Sequence, residues 1–253
     1  MKQEKLDNLD EVSEVVDLGT QLRLTTDIGF NRIFRERENM LSFINSALDG
    51  YVKGGIVDFQ YGNPHRIGAT PELYAKMPSL FELFCTTGKQ KEILVEVQNV
   101  PSAVHFRQRI ASYTNELFKE RMFIKKIAKY PLYSIRIVDF LYKEDDDTDR
   151  YLVPSKLVCT AMNGDEKKDV TSKTVKNMQF LDIFLKHFKK EVHQLENTLE
   201  QWIFVLKNMH SFENLPNELN SELFKNLFEK AKTDILDEAE AEKYREEYEF
   251  LYS

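Results

Sequence analysis

The stretch SLFELFCTTGKQKEILVEVQNV, residues 79–100, decides the fold expected for this chain. Two apolar-rich runs, 80–86 and 92–100, flank a short polar piece that contains Gly88. This pattern is typical of a β-hairpin with a loop of about three to five residues. We place the centre of the turn near Lys89, and the stretch therefore predicts two paired antiparallel strands.

Strand alternation divides this hairpin into an apolar face and a face that carries charge. With a centre at Lys89, Glu82 lies directly opposite Glu96, with Gln98 beside them, and the apolar face takes Phe81, Leu83, Cys85, Ile93, Val95 and Val97. Like charges that face each other destabilise an antiparallel pair. The pattern therefore predicts a bound divalent cation or a shared proton with one raised pKa. A half-solvated sheet, in which these polar groups face water, is the alternative interpretation.

Helices are predicted before the hairpin. The first begins at Thr25, Thr26 or Asp27, one of which serves as N-cap, and it carries Phe30, Ile33 and Phe34 on one face. A second apolar stripe over residues 40–48 ends at Gly50. For Asp27, helix capping is the favoured role.

After the hairpin, the pattern predicts a helix over 103–122 in which Arg109 and Tyr113 are four positions apart and therefore neighbours. Arg109 could hold a phosphate or neutralise an acidic neighbour, Glu116 or Glu82. The stretch 133–142 is predicted as a strand beside the hairpin. From Gln179 onward we predict helices, with Trp202 in the core.

Composition limits the classes of protein that fit. The chain has 253 residues, of which 42% are hydrophobic and 30% charged, as in an ordered globular protein. We find no apolar run long enough for a membrane span and no signal sequence, so we expect a cytoplasmic protein without membrane contact. The net charge of −7 argues against an indiscriminate nucleic-acid binder. Two cysteines, Cys85 and Cys159, are too few for a disulfide framework or a zinc site.

Several of these features together resemble the PD-(D/E)XK nuclease family transposases, also called the recombination-promoting nuclease/putative transposase family. The resemblance is carried by the acidic residue Glu82, by the Glu-x-Gln triplet at 96–98, and by the following HFRQRIASY segment. Further matching segments, in the order that the family shows, are TDIGFNRIF (26–34), LSFINSAL (41–48), YSIRIVDF (133–140) and LEQWIFVLKNM (199–209).

The resemblance implies an α/β fold, namely a restriction-endonuclease-like core with a mixed central sheet flanked by helices. It implies Mg²⁺-dependent, or Mn²⁺-dependent, cleavage of DNA. Glu82 and Glu96 fall on the metal-binding carboxylates, and Gln98 falls on the position that is lysine in the wider superfamily. Arg109 and Tyr113 are the expected phosphate-binding residues, and Asp27 matches an acidic residue at the start of the first helix.

Glu82 departs from the family, which usually has aspartate at this position. The alternative function is therefore a catalytically degenerate nuclease fold that binds DNA or protein. We expect a nuclease-like domain over 1–190 and a helical C-terminal region over 191–253. A homo-oligomer formed through the C-terminal helices is a further candidate.

Overall fold

A mixed β-sheet with helices beside it forms the body of the protein. The computed structural model describes residues 18–61, 80–85, 91–98, 131–140, 150–156, 158, 160–163, 166–169 and 176–252. The strands are β1 (Phe59–Tyr61), β2 (Leu80–Cys85), β3 (Lys91–Gln98), β4 (Leu132–Val138), β5 (Leu152–Lys156), β6 (Thr160–Asn163), β7 (Glu166–Asp169) and β8 (Met178–Phe184). The α-helices are α1 (Asp27–Phe34), α2 (Arg37–Ala47), α3 (Thr198–Asn208), α4 (Glu222–Lys230) and α5 (Glu238–Tyr252).

Within the described residues, the main sheet has six strands in the order β1-β2-β3-β4-β8-β5, and β6 pairs with β7 separately. The pairs β1-β2, β2-β3 and β5-β8 are antiparallel, whereas β3-β4 and β4-β8 are parallel. The predicted α/β class with a mixed central sheet is thus confirmed. The predicted strand beside the hairpin is confirmed as β4.

The hairpin forms as β2 and β3, but its register differs from the prediction. The observed pairs are symmetric about Gly88 instead of Lys89, so that Glu82 lies opposite Leu94, and Glu96 opposite Leu80. The expectation that the two glutamates face each other directly is wrong. A shift of one residue in the turn centre moves each partner by two positions, so the division into faces is unchanged.

The central strands are buried on both faces, as is usual for parallel strands. All seven residues of β4 are buried. Ile93, Val95 and Val97 of the predicted apolar face belong to the main hydrophobic core. On the opposite face, Leu94 is fully buried, and its neighbour Ser134 on β4 is 1% exposed. The sheet is therefore not half-solvated at Leu94 and Ser134, whereas for Glu82, Glu96 and Gln98 that alternative stays untested.

The predicted N-terminal helices are confirmed as α1 and α2. Thr26 is the N-cap of α1, since its Oγ1 accepts a hydrogen bond from the Gly29 amide at 3.0 Å. A Cβ at Gly29 would lie 2.2 Å from the Arg23 carbonyl oxygen, so only glycine allows this close approach. Gly50 follows α2 with φ +79°, as expected for a residue that stops a helix.

The C-terminal helices pack into the same hydrophobic core as α1 and α2. Trp202 on α3 is fully buried, as predicted, and its ring centroid lies 5.6 Å from that of Phe34 and 5.3 Å from that of Phe224. The expectation of helices from Gln179 onward is wrong at its start, because residues 178–184 form β8. The segment MQFLDIF has no clear period, so its pattern does not separate a buried strand from a helix. The division at residue 191 stays a prediction.

Among the described residues, no helix has both the length and the apolar character that a membrane crossing requires.

Candidate functional site

The predicted metal-site residues lie at neighbouring positions on two paired strands. Glu82 lies opposite Leu94 and Glu96 opposite Leu80, so the two glutamates are diagonal neighbours on one face. Diagonal positions of an antiparallel pair are about 7–8 Å apart, within reach of long side chains. Gln98, the last residue of β3, follows on the same face. For these three residues the structure describes the backbone positions.

Asp27 lies at the same end of the sheet. Its favoured role as helix cap is wrong, because Thr26 takes that role and Asp27 is the first residue of α1. The lead-in to α1 is held by Thr25, whose Oγ1 donates to Asp139 Oδ2 at 2.7 Å. Asp139 directly follows β4, whose last residue is aligned with Gln98. The helix start that carries Asp27 is thereby fixed to the edge where β3 and β4 end.

Arg109 and Tyr113, the expected phosphate-binding residues, lie outside the described residues, as does the helix predicted over 103–122. Their roles stay predictions.

A buried ion pair occupies the row of the sheet that contains Glu96. Arg136 is aligned with Glu96 on one side and with Asp182 on the other. Arg136 Nη2 donates to Asp182 Oδ2 at 2.7 Å and Arg136 Nε donates to Asp182 Oδ1, with side chains only 7% and 13% exposed. Burial raises the pKa of Asp182, and Arg136 opposes this rise. The guanidinium beside Glu96 is therefore already engaged by another carboxylate.

A second ionic cluster, which we call the Asp139 cluster, lies where the central strands β4 and β8 end. It comprises Arg23, Thr25, Asp139, Lys186 and His210. Arg23 Nη1 lies 3.4 Å from Asp139 Oδ2, and Lys186 Nζ lies 3.3 Å from Asp139 Oδ1. The side chain of Asp139 is 6% exposed. One buried carboxylate thus faces two cations.

His210 adds a neutral imidazole to this cluster. Arg23 Nη2 lies 2.9 Å from His210 Nε2, and because a guanidinium can only donate, Nε2 must be the acceptor. Burial lowers the pKa of His210 to about 4, and the charge of Arg23 adds to that effect. His210 is therefore uncharged at neutral pH.

The C-terminal helix α5 also reaches this edge. The hydroxyl of Tyr244, a fully buried residue, accepts a hydrogen bond from the Arg23 amide at 2.8 Å. Glu247 Oε1 accepts one from the Asp27 amide at 2.6 Å. More than 200 positions separate the partners in both bonds, so the candidate site depends on both ends of the chain.

No sequence pattern predicted the Arg136–Asp182 pair or the Asp139 cluster. Arg136 left one signal, since it is the only charged residue within the apolar strand LYSIRIV. His210 and Tyr244 left none, because their partners lie far away along the chain.

The donor atoms of the predicted site suit a hard divalent cation. Glu82 and Glu96 offer carboxylate oxygens and Gln98 an amide oxygen, which Mg²⁺ and Mn²⁺ accept as ligands. Among the described residues, no group of three or more His, Cys, Asp or Glu is placed to hold a metal ion. A metal at Glu82 and Glu96 stays a prediction.

Comparison with known proteins gives one family. Residues 24–252 match the family described as PD-(D/E)XK nuclease family transposase. No curated protein and no solved structure matches the chain significantly. The match extends over nearly the whole chain, from the lead-in to α1 to the end of α5. The chain therefore belongs to the PD-(D/E)XK nuclease family transposases.

Proposed function

We propose that this protein is a metal-dependent DNA endonuclease that acts in DNA recombination or transposition. The observation that carries the proposal is the register of β2 and β3, in which Glu82, Glu96 and Gln98 share one face at neighbouring positions. Membership of a nuclease family of transposases supports the same reaction class. The substrate bond is a DNA phosphodiester.

In this proposal, Glu82 and Glu96 hold Mg²⁺ or Mn²⁺, with Asp27 at the same edge as a further acidic group. The bound ion would supply Lewis-acid stabilisation of charge on the phosphate and a lower pKa for the attacking water. Gln98 orients that water through its amide, which cannot act as a general base at neutral pH. Arg109 and Tyr113 contact the substrate phosphate.

The surroundings of Glu96 support this role. Leu94 and Arg136 are buried, and electrostatic interactions are stronger where water is excluded. Asp182 accepts hydrogen bonds from Nε and Nη2 of Arg136, which fixes the guanidinium in the row that contains Glu96. Arg136 and Asp182 therefore act as positioning residues.

Plasmid nicking by the purified protein tests the proposal, with Mg²⁺, Mn²⁺ or EDTA present. We expect nicking with either metal and none with EDTA. Glu82→Ala should lower the rate by on the order of 100-fold or more, since it removes a group that holds the ion. Glu82→Asp restores the residue usual in the family and should stay within about tenfold of the unmodified protein. Undiminished nicking by Glu82→Ala would contradict the assignment.

One observation favours a second function. Glu82 stands where the family usually has aspartate, and Mg²⁺ requires near-ideal octahedral geometry, so a ligand that is one methylene longer could displace the ion. The protein would then be a nuclease fold retained as a DNA-binding or protein-binding module. Calorimetry separates the two functions, because a binding module takes up DNA without any Mn²⁺ uptake that depends on Glu82.

A further inference from the structure

The segment that follows β8 places lysines at the edge of the sheet where the candidate site lies. Phe184, the last residue of β8, is aligned through Val138 with Gln98. Two strand spacings separate Phe184 from Gln98, or about 10 Å. The next residues are LKHFKK, 185–190, which contain three lysines and no acidic residue. A DNA strand held at Gln98 would therefore pass close to this segment.

These lysines differ in their local partners. Lys190 is engaged by acidic groups, with its Nζ 2.6 Å from Glu200 and 3.3 Å from Glu196. Lys186 shares the single carboxylate of Asp139 with Arg23, and its side chain is 41% exposed. Lys189 is exposed. Within the described residues, positive charge is therefore in excess at Lys186 and Lys189.

Lys207 on α3 is bonded to the backbone between these two lysines. Its Nζ donates to the Phe188 carbonyl at 2.6 Å, which fixes α3 to the segment after β8. Burial lowers the pKa of Lys207, and the charges of Lys189 and Lys186 lower it further, whereas Glu191 and Asp139 oppose the effect. The charge of Lys186 also contributes to the low pKa of His210. Lys207 and His210, which lie on different elements, thus both have more positive than negative charge around them, although the chain has a net charge of −7.

We propose that Lys186 and Lys189, supported by Lys207, form a contact surface for the phosphate backbone of DNA next to the candidate metal site. This inference rests on the proposed function for the position of the DNA. Successive phosphates of one strand are about 3.4 Å apart along the helix axis, so the 10 Å between Gln98 and Phe184 spans about three of them. The surface would hold the strand beside the phosphate that is cleaved, and it contacts no base.

DNA binding in EDTA, measured by fluorescence anisotropy at several salt concentrations, tests this surface without cleavage. The variant Lys186→Gln/Lys189→Gln should reduce the slope of log K against log salt by about 2, because each lost phosphate contact contributes about 0.9. Affinity at low salt should fall about tenfold or more. Lys189→Gln alone should reduce the slope by about 1, and it leaves the bonds of Asp139 intact.

The matched control is Lys225→Gln/Lys243→Gln, which removes the same charge from exposed positions on α4 and α5. It should change affinity by less than about twofold. Equal slopes for the unmodified protein, both lysine variants and the control would overturn the inference, and so would an absence of DNA binding by the unmodified protein. Lysine-dependent binding without any metal-dependent nicking would support the surface and contradict the nuclease. Nicking that depends on Glu82, together with unchanged binding by Lys186→Gln/Lys189→Gln, would contradict the surface alone.

Discussion

Two ion clusters lie on the same sheet, and they differ in how their charges are balanced. Inside the sheet, Arg136 and Asp182 form a one-to-one pair with two hydrogen bonds, and both side chains are nearly buried. At the edge, the single carboxylate of Asp139 faces Arg23 and Lys186, and Lys186 remains 41% exposed. The inner pair balances one charge against one, whereas in the described part of the chain the outer cluster has two cations on one carboxylate.

This difference separates a structural role from a binding role. A buried pair that satisfies its own hydrogen bonds contributes rigidity and specificity more than net stability. A partly exposed excess of positive charge is suited to phosphate instead. The inner pair therefore fixes the strands β4 and β8 beside Glu96. An anionic substrate is expected at the Asp139 cluster, where these strands end.

The largest effect should follow from breaking the inner pair. Asp182→Asn removes the carboxylate to which the buried guanidinium of Arg136 donates two hydrogen bonds and should lower the free energy of unfolding by about 3–5 kcal/mol. Urea denaturation measures this change.

The double variant Arg136→Met/Asp182→Leu is the control for the inner pair. It removes both charges and should be far less destabilising than the single change, because apolar replacement of a buried pair is often neutral. If Asp182→Asn costs less than about 1 kcal/mol, the pair is not buried in the way that the structure gives it.

Asp139→Asn should have the next largest effect and should sharpen the contrast between the clusters. It removes the carboxylate that accepts from Thr25 and neutralises Arg23, and it should destabilise the fold by about 2–3 kcal/mol. Because one negative charge is lost beside the lysines, affinity for DNA at low salt should rise. Urea denaturation measures the free energy of unfolding, and fluorescence anisotropy measures the affinity for DNA. A lower affinity of the folded variant would contradict the prediction.

Tyr244→Phe should have a smaller effect. It removes the acceptor for the Arg23 amide and should cost about 1–2 kcal/mol through one unsatisfied buried donor. Thermal unfolding of this variant beside the unmodified protein measures the contribution of the bond. Equal melting temperatures would show that the bond between the Tyr244 hydroxyl and the Arg23 amide does not stabilise the protein.

The smallest effect concerns pH. The pKa of His210 is about 4 in the folded protein and about 6.5 in an unfolded chain. The unfolded state therefore binds more protons between these values, so this contribution to stability is complete above pH 6.5 and is lost as pH falls towards 4. Allowing for partial exposure, His210→Gln should remove about 1 kcal/mol of this pH dependence. Urea denaturation at pH 5 and pH 7 measures it, and an unchanged pH dependence in the variant would be inconsistent with a neutral His210.

Local patterns predicted much of the fold. The hairpin, α1, α2 and β4 each have an apolar spacing that only one element satisfies, and Ile93, Val95 and Val97 were placed correctly in the core. The register could not be fixed, because turn centres at Gly88 and Lys89 give the same faces. The strand β8 was missed because MQFLDIF has no clear period.

The candidate site was predicted only in part, because its contacts are distant in sequence. Asp27, Glu82, Glu96 and Gln98 follow from their residue types and the family pattern, and their roles stay predictions. Asp139 could not be linked to Arg23, since 116 positions separate the two residues. The proposed homo-oligomer stays a prediction, and Phe224 and Leu227 of α4 are already buried in the core of this chain.

The most direct test of the nuclease assignment is the single-turnover cleavage rate of a short DNA duplex in Mg²⁺, compared between Glu96→Gln and Glu92→Gln. Both glutamates lie on β3, share a face by alternation and are diagonal neighbours of Glu82, but Glu92 is aligned with Phe84 and Leu132 at the start of the strand, away from Gln98. We predict a loss of on the order of 100-fold or more for Glu96→Gln and less than about twofold for Glu92→Gln. Equal rates for the two variants would contradict the assignment of Glu96 and the site built around it.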